Sequence, residues 1–447
     1  MHPIDSPHLH DPALPDPTLG RVLRVQRAIR NQLELRPCEL DATLGRDHQA
    51  RAVWAFVEAQ DLSRFYAGIQ TVEGGSGRSP IDPAILLGLW LLATLDGIGS
   101  ARELARLCVS HDAYRWMCGG VGVNHHTLSD FRVGHPDMLD ELLARHVAVL
   151  VHKGLVRMER VAQDGMRIRA SAGASSFRRR ETLKEHLRQA HAQVAALKQE
   201  VEADPAASRT RSQAARERAA REREARVQSA LTALQELEQR SPRPSRKRGG
   251  SKPGSPQPKE HEPRASTTDV DAHVMKMADG GFRPAYNAQL ATDTATQVIV
   301  GVDVVMTGSD MGRLEPMVEQ VSVQHGVRPT AWLVDGGYTH LGQIDVLDGR
   351  GTTVYAPVPR PKDPQRDRYR AHRTDTPAVA AWRMRMGSEE GKDLYKERAA
   401  TAECVNAQAR NRGLWQFRVR GRLKALAVLL WYALAHNLRR EIALQAA

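Results

Sequence analysis

Apolar positions along the chain follow three periods in turn, and each names a type of element. From Ala84 to Leu95 nearly every residue is apolar. Asp82-Pro83 supplies a cap and a first-turn proline in front, and Gly97 and Gly99 punctuate the end, so a buried helix is predicted. Ser100-Ala-Arg-Glu103 has capping-box spacing and opens a second helix through Leu104, Leu107 and Cys108; Thr127-Leu-Ser-Asp130 opens a third leading into Phe131-Arg132. Such short helices suit a helix-turn-helix-like module, and suit any small helical bundle almost as well. Further on, Leu183, Leu187, Ala190, Val194, Leu197 and Val201 recur at intervals of 4, 3, 4, 3 and 4, a coiled-coil seam. Asp204-Pro205 interrupts it, and a charged stretch from Arg216 through Val227, Leu231 and Leu234 follows. An antiparallel helical hairpin is the simplest shape, although the seam could also dimerise.

Beyond a Pro, Gly, Ser and Lys-rich basic linker, Ser241 to Arg264, the period becomes two. Tyr286, Ala288 and Leu290 alternate with polar residues, and the β-branched run Gln297 to Val305 suits a central strand. A helical stretch, Met311 to Val323, precedes a strand from Ala331 to Val334 that ends in Asp335-Gly336-Gly337. A further strand spans Thr352 to Val358, and the chain reads as helical throughout from about Lys392. This alternation predicts an α/β fold, a mixed or parallel sheet with helices on its faces. The opening residues, through Leu19, carry no period and read as a tail.

Composition narrows the class. At roughly 150 residues per domain, 447 residues suggest about three domains, and 41% hydrophobic residues suffice for packed cores. Lys and Arg number 64 against 52 Asp and Glu, a net charge of +12, so a polyanionic partner is expected. Cys38, Cys108, Cys118 and Cys404 form no C-x-x-C pair, which argues against a zinc ribbon or a disulfide framework and for a reducing cytosol. No secretory signal opens the sequence. The longest apolar runs, Ala84 to Leu95 and Ala425 to Ala435, fall short of the ~18 residues of a membrane span. A cytoplasmic protein with no membrane partner is expected.

Three acids stand out as candidate chemistry. Asp164 lies inside a strand-like segment, Arg160 to Arg169, flanked by Arg167 and Arg169. Asp335 ends a short apolar strand, at the edge where open α/β sheets bind ligands. Glu403 lies in a helical stretch beginning at Tyr395, where Arg398 to Arg410 can present charge along one side. Singly, each reads as structural, since an isolated strand-end Asp is usually a turn former. Together, two strand carboxylates and one helix carboxylate could hold two divalent ions about 3.5 to 4 Å apart, the geometry of phosphodiester displacement. Mg²⁺ suits this use. Among competing groups, Asp303 sits mid-strand and faces either the core or the site. Asp310 reads as a helix cap, and the adjacent His125 and His126 should point apart, in a loop or at DNA. Trp332 and Trp431 read as core fillers.

The chain resembles the DDE transposases of bacterial insertion sequences, in particular the branch called insertion-sequence family eleven-eighty-two. The likeness runs from about Ser79 to Arg440. It is carried by Ser79-Pro-Ile-Asp-Pro83, Thr127-Leu-Ser-Asp-Phe-Arg132, Gln163-Asp164-Gly165 and Val274-Met-Lys-Met-Ala-Asp-Gly-Gly-Phe282. It continues through Arg283-Pro-Ala-Tyr-Asn287, Leu333-Val-Asp-Gly-Gly-Tyr338 and the signature Tyr395, Arg398, Glu403.

The resemblance implies an RNase H-like mixed-sheet catalytic core, an N-terminal all-helical domain and an inserted helical hairpin. The implied division is a tail (1–19), a helical DNA-binding domain (20–150), the first part of the core (151–176), a coiled-coil hairpin (177–240), a basic linker (241–264) and the remainder of the core (265–447). It further implies Asp164, Asp335 and Glu403 as catalytic metal ligands for Mg²⁺, with Mn²⁺ able to substitute. Tyr395, Arg398, Arg410 and Arg167 become DNA contacts. The expected partners are double-stranded DNA, both terminal inverted repeats and target, and a second copy of the chain when DNA is bound; a nucleoid location follows. Two departures stand out. Arg410 occupies the place, seven residues after the glutamate, where such families usually carry Lys, and Arg forks where Lys is a point charge. The interval from Arg398 to Glu403 is also one residue longer than the commonest form. The alternatives to a transposase are a catalytically silent DNA-binding derivative and a host nuclease on the same core.

Overall fold

A computed structural model describes residues 39–71, 79–203, 211–240, 263–361, 363 and 365–446. The expected tail (1–19) and nearly all of the expected linker (241–264) lie outside the described residues.

Seven helices come first: α1 (Gln49–Glu58), α2 (Ser63–Ala67), α3 (Pro83–Leu95), α4 (Ala101–Ser110), α5 (Asp112–Cys118), α6 (His125–Gly134) and α7 (Pro136–His152). Their starts follow from capping chemistry. Asp82 accepts from the Ala84 amide ahead of Pro83, and Ser100 accepts from the Glu103 amide. The third expected start is displaced: Asn124, which accepts from the His126 and Thr127 amides, caps α6, so Thr127 lies inside the helix. His125 and His126 therefore occupy its first turn, with ring centroids 4.1 Å apart rather than pointing apart. In the first turn both side chains swing back toward the open end of the helix, so neighbours can meet there.

Next come β1 (Arg160–Arg169), β2 (Phe177–Arg178), the long helices α8 (Arg180–Ala203) and α9 (Arg211–Arg240), and β3 (Ala265–Ser266). The hairpin seam is satisfied within the chain. Leu183, Ala190 and Leu197 on α8 are buried, as are Ala220, Val227, Ala230 and Leu234 on α9, and β2 pairs antiparallel with β3 at the hairpin's base. The seam thus gives no ground of its own for dimerisation.

The remaining strands are β4 (His273–Lys276), β5 (Phe282–Asp293), β6 (Ile299–Val305), β7 (Ala331–Leu333) and β8 (Thr353–Tyr355). The sheet runs β6, β5, β1, β7, β8, with β4 beside β6 on the same edge of β5; β5 is antiparallel to both β6 and β1, whereas β1, β7 and β8 are parallel. The run ending at Val305 is therefore not central, because β6 pairs only with β5. It is β-branched because both its faces and its edge are covered. Asn437 stands beside the edge, its side chain accepting from the Ile299 amide and donating to the Ile299 carbonyl, both at 2.8 Å.

Among the helices, α10 (Leu314–His325) follows β6 and α11 (Leu341–Gly349) follows β7; α12 (Pro377–Gly387), α13 (Glu389–Arg398), α14 (Cys404–Asn411) and α15 (Arg422–Gln445) complete the chain. The C-terminal part is not helical throughout. Gly413 (φ 81°) and Gly421 (φ 91°) adopt left-handed backbone in the connection between α14 and α15, and Gln416 there bridges to Arg169 of β1. Helix α15 is buried from Ala427 to Ala435 and packs on α3, α6, α7 and β6. One hydrophobic core consequently runs from the N-terminal helices into the sheet. No helix among the described residues is long and apolar enough to cross a membrane.

Candidate active site

The parallel pairing of β1 with β7 brings Asp164 and Asp335 together. Ala162 faces Leu333 in register, and alternation along each strand carries the next side chain on that face to Asp164 and Asp335. Below them Ala162, Ala331 and Leu333 pack against Ala402, so the C-terminal helices close over this same face. Asp335 also holds its own turn, with Oδ1 accepting from the Gly337 amide at 2.8 Å.

Glu403 reaches this edge through a local deformation. Residues Ala399–Glu403 form a π-helical turn between α13 and α14. In a regular α-helix the five-residue step from Arg398 to Glu403 would turn the two about 140° apart. The wider turn absorbs the extra residue, and the Arg398 guanidinium lies 3.2 Å from Asp164 Oδ1 and 3.6 Å from Glu403 Oε1. Asp164 is engaged on both oxygens: Oδ1 also accepts from the Gly165 amide at 3.0 Å, and Oδ2 accepts from Asn406 Nδ2 at 2.9 Å.

The electrostatics are those of an under-compensated acidic site. Burial pushes the Asp164 carboxyl above the usual range; Arg398 opposes this, while Asp335 and Asp310 add to it. Burial also draws the Arg398 guanidinium down, but Asp164, Tyr395, Asp335 and Glu403 together leave it raised. The Tyr395 phenol, one turn before Arg398, is raised by burial, with Arg398 opposing and Asp335, Asp164 and Glu403 adding.

The other two expected DNA contacts, Arg410 and Arg167, lie away from the three acids. Arg410 is exposed on α14, two turns beyond Glu403, and forms no ion pair among the described residues. Arg167 points from the opposite face of β1, where it donates to the Gly308 carbonyl at 2.6 Å and lies 3.8 Å from Asp310.

Asp310 is the acid that the cap reading misplaced. Arg313, not Asp310, precedes the first turn of α10. The Asp310 side chain, 12% exposed, instead accepts from Asn287 Nδ2 at 2.6 Å and Gln289 Nε2 at 2.8 Å. Those amides belong to a buried network. Gln163 donates to Gln289 and accepts from the Trp332 indole, and Tyr338, just past Asp335, donates to Gln289. Fully satisfied buried networks of this kind rigidify what they join, here β1, β5 and the turn after β7. The available signal was polar residues at every second position, Asn287 and Gln289, between the apolar Tyr286, Ala288 and Leu290. Asn406 carried no such signal. Asp303 serves neither site: it bonds its own Val304 amide and lies 3.6 Å from Arg422.

The donor set fits a hard divalent cation in kind, since its side chains are carboxylates. Among the described residues, however, no three His, Cys, Asp or Glu side chains stand close enough together to hold a metal ion, and the Arg398 guanidinium stands between Asp164 and Glu403.

Comparison with known proteins adds two findings. Residues 262–438 match the family described as a transposase DDE domain, and residues 38–133 match a second, described as a transposase domain. No curated protein and no solved structure matches the chain.

Proposed function

We propose, from the matches to two transposase domain families, a DDE transposase that binds the terminal inverted repeats of a mobile element, cuts the DNA there and joins it to a target. The observation that carries this reading is the emergence of Asp164 and Asp335 from neighbouring parallel strands onto one face, with Arg398 reaching both Asp164 and Glu403. The strand order, three antiparallel strands continued by two parallel ones, supports an RNase H-like core.

In this scheme water attacks the phosphodiester at the element's end, and the freed 3′-hydroxyl then attacks target DNA, so no covalent protein intermediate forms. Asp164, Asp335 and Glu403 would hold Mg²⁺ or Mn²⁺, which supplies charge neutralisation at the phosphodiester oxygens when bound. Asn406 fixes the orientation of Asp164, while Tyr395 and Arg398 position the scissile phosphate from the covering helix. Arg398, released from Asp164, offers a planar fork to phosphate oxygens. Arg410 is exposed on the following helix, α14, suited to DNA further out. The N-terminal helices bind the repeats, and a homodimer pairs the two ends.

The test is cleavage of a labelled duplex bearing the terminal repeat, with Mg²⁺ or with EDTA. Nicking at the repeat boundary that needs the metal and falls by more than about 100-fold in Glu403→Gln and Asp335→Asn is expected, because even partners that only orient a metal ligand cost 10–100-fold. A second reading, a silent DNA-binding derivative, is favoured by the guanidinium standing among the acids; binding without nicking by the native chain would establish it.

A further inference from the structure

At the far end of β1 from its N-terminal pairing with β7, the N-terminal helices and the connection between α14 and α15 enclose a pocket of about 380 Å³. Three guanidiniums line it, from Arg132, Arg412 and Arg418. No carboxylate among the described residues forms an ion pair with any of them. Two of the three converge on one point, since a methyl group placed on Gly99 would lie 3.7 Å from Arg418 Nε and 3.9 Å from Arg132 Nη2. Arg132 is anchored for this purpose: it lies 4.7 Å from the Trp90 ring centroid and donates to the Gly99 carbonyl at 2.7 Å. Yet its Nε, like Arg412 Nη1, is buried without any hydrogen-bond partner.

A buried donor left unmatched and a set of like charges left uncompensated are both costly, so their coincidence marks a place where an anion belongs. Burial and then the neighbouring Arg418 hold Arg132 down to about 10, still cationic at neutral pH. For Arg412, burial and then Arg439 act in the same direction, with Tyr432 and Asp96 opposing. Asp96 does not neutralise the cluster, because its carboxylate is taken by Gln49 and Tyr114.

The position of the pocket selects the anion. Trp415 and Phe417, on its wall, bond to the backbone of Arg169, five residues along β1 from Asp164. At about 3.3 Å per residue that is ~17 Å, equal to the rise of about five base pairs along the DNA axis at 3.4 Å each. At the rim, Trp415 is 53% exposed, with the Arg169 guanidinium 5.8 Å from its ring, an arrangement suited to sugar or base contact.

We propose that this pocket binds a backbone phosphate of DNA several nucleotides from the cut, tying the N-terminal helices and the catalytic sheet to one duplex. The proposal rests on the transposase reading above. It is separate from the acidic edge, because none of its residues touches Asp164, Asp335 or Glu403.

The test is equilibrium binding of a mixed-sequence DNA duplex over a salt series, comparing the native chain with Arg418→Gln, a change at an exposed side chain that leaves the fold intact. Arg157→Gln, at an 80% exposed position ahead of β1, serves as the control for loss of charge alone. The expected result is roughly a tenfold weaker affinity for Arg418→Gln at low salt and a salt slope reduced by about one, with Arg157→Gln near native. Native binding with the same slope in Arg418→Gln overturns the pocket while leaving the transposase reading standing. Failure of the native chain to bind any duplex overturns that reading and this proposal with it. A thermal upshift with inorganic phosphate that Arg418→Gln loses, without any change in the DNA slope, reassigns the pocket to a small free anion and overturns the DNA assignment.

Discussion

Gly165 shows how a single missing side chain arranges the site. It sits beside Asp164 on β1 and faces the other way, so a Cβ there would collide with Asp310 Oδ1 and come within 2.6 Å of Gln289 Nε2 and 2.8 Å of Asn287 Oδ1. The glycine is needed for space rather than for backbone freedom, and that space is what lets Asp310 dock on the buried amides beneath the sheet. Gly165→Ala should therefore force the network apart at a cost of about 1–3 kcal/mol, as overpacking does, read as a lower denaturation midpoint. A midpoint equal to native would show that the network yields freely. The same contact explains why Asp310 was misread from sequence. Gly308-Ser309-Asp310 ahead of a helix has cap chemistry, and the competing amides lie more than twenty residues earlier in the chain.

At the scale of elements, the turn between α13 and α14 accounts for the long interval in the Tyr-Arg-Glu signature. A π-turn is an α-helix carrying one residue too many. Deleting Ala400 should thus restore regular helix, keep Arg398 and the glutamate on one side, and move the melting temperature by no more than about 3 °C. Inserting an alanine at the same place should rotate everything beyond it by about 100° and abolish metal-dependent nicking. If the deletion unfolds the chain, the turn is required for packing and is not a register correction. Element identity was legible wherever periodicity was long: the buried helices at Ala84 and Ala425, the hairpin and the strand around Asp164. What failed was local. The start of α6 lay at Asn124, and the break after α14 depended on glycines whose backbone only the tertiary contacts with β1 demand.

For the molecule as a whole, α15 is the strut that joins the helical and sheet portions. Its outer end is fastened by Glu441, which lies 2.9 Å from His146 Nε2 on α7 and 2.8 Å from Nζ of Lys153, the residue that follows α7. The His146 hydrogen bond, then that of Lys153, lowers the Glu441 carboxyl from 4.5 to about 2 although burial opposes it. Because the folded value lies below the unfolded one, ionised Glu441 stabilises the fold above about pH 4.5. That contribution is lost as the pH falls toward about 2. Glu441→Gln should accordingly lower the urea midpoint at neutral pH, by an amount that shrinks as the pH drops through this window. An unchanging difference would mean that the ion pair contributes nothing to stability.

The sequence by itself determined the alternation of elements, the hairpin, the basic balance and the three acids, because each is written in local periodicity, composition or short-range capping chemistry. Tertiary structure alone decided that β6 lies at an edge, that the hairpin seam closes on itself, that Arg398 stands among the acids and that three arginines meet without a counter-ion. Each of these depends on contacts between residues far apart in the chain, where pairing, burial and desolvation are set by neighbours that no local pattern records.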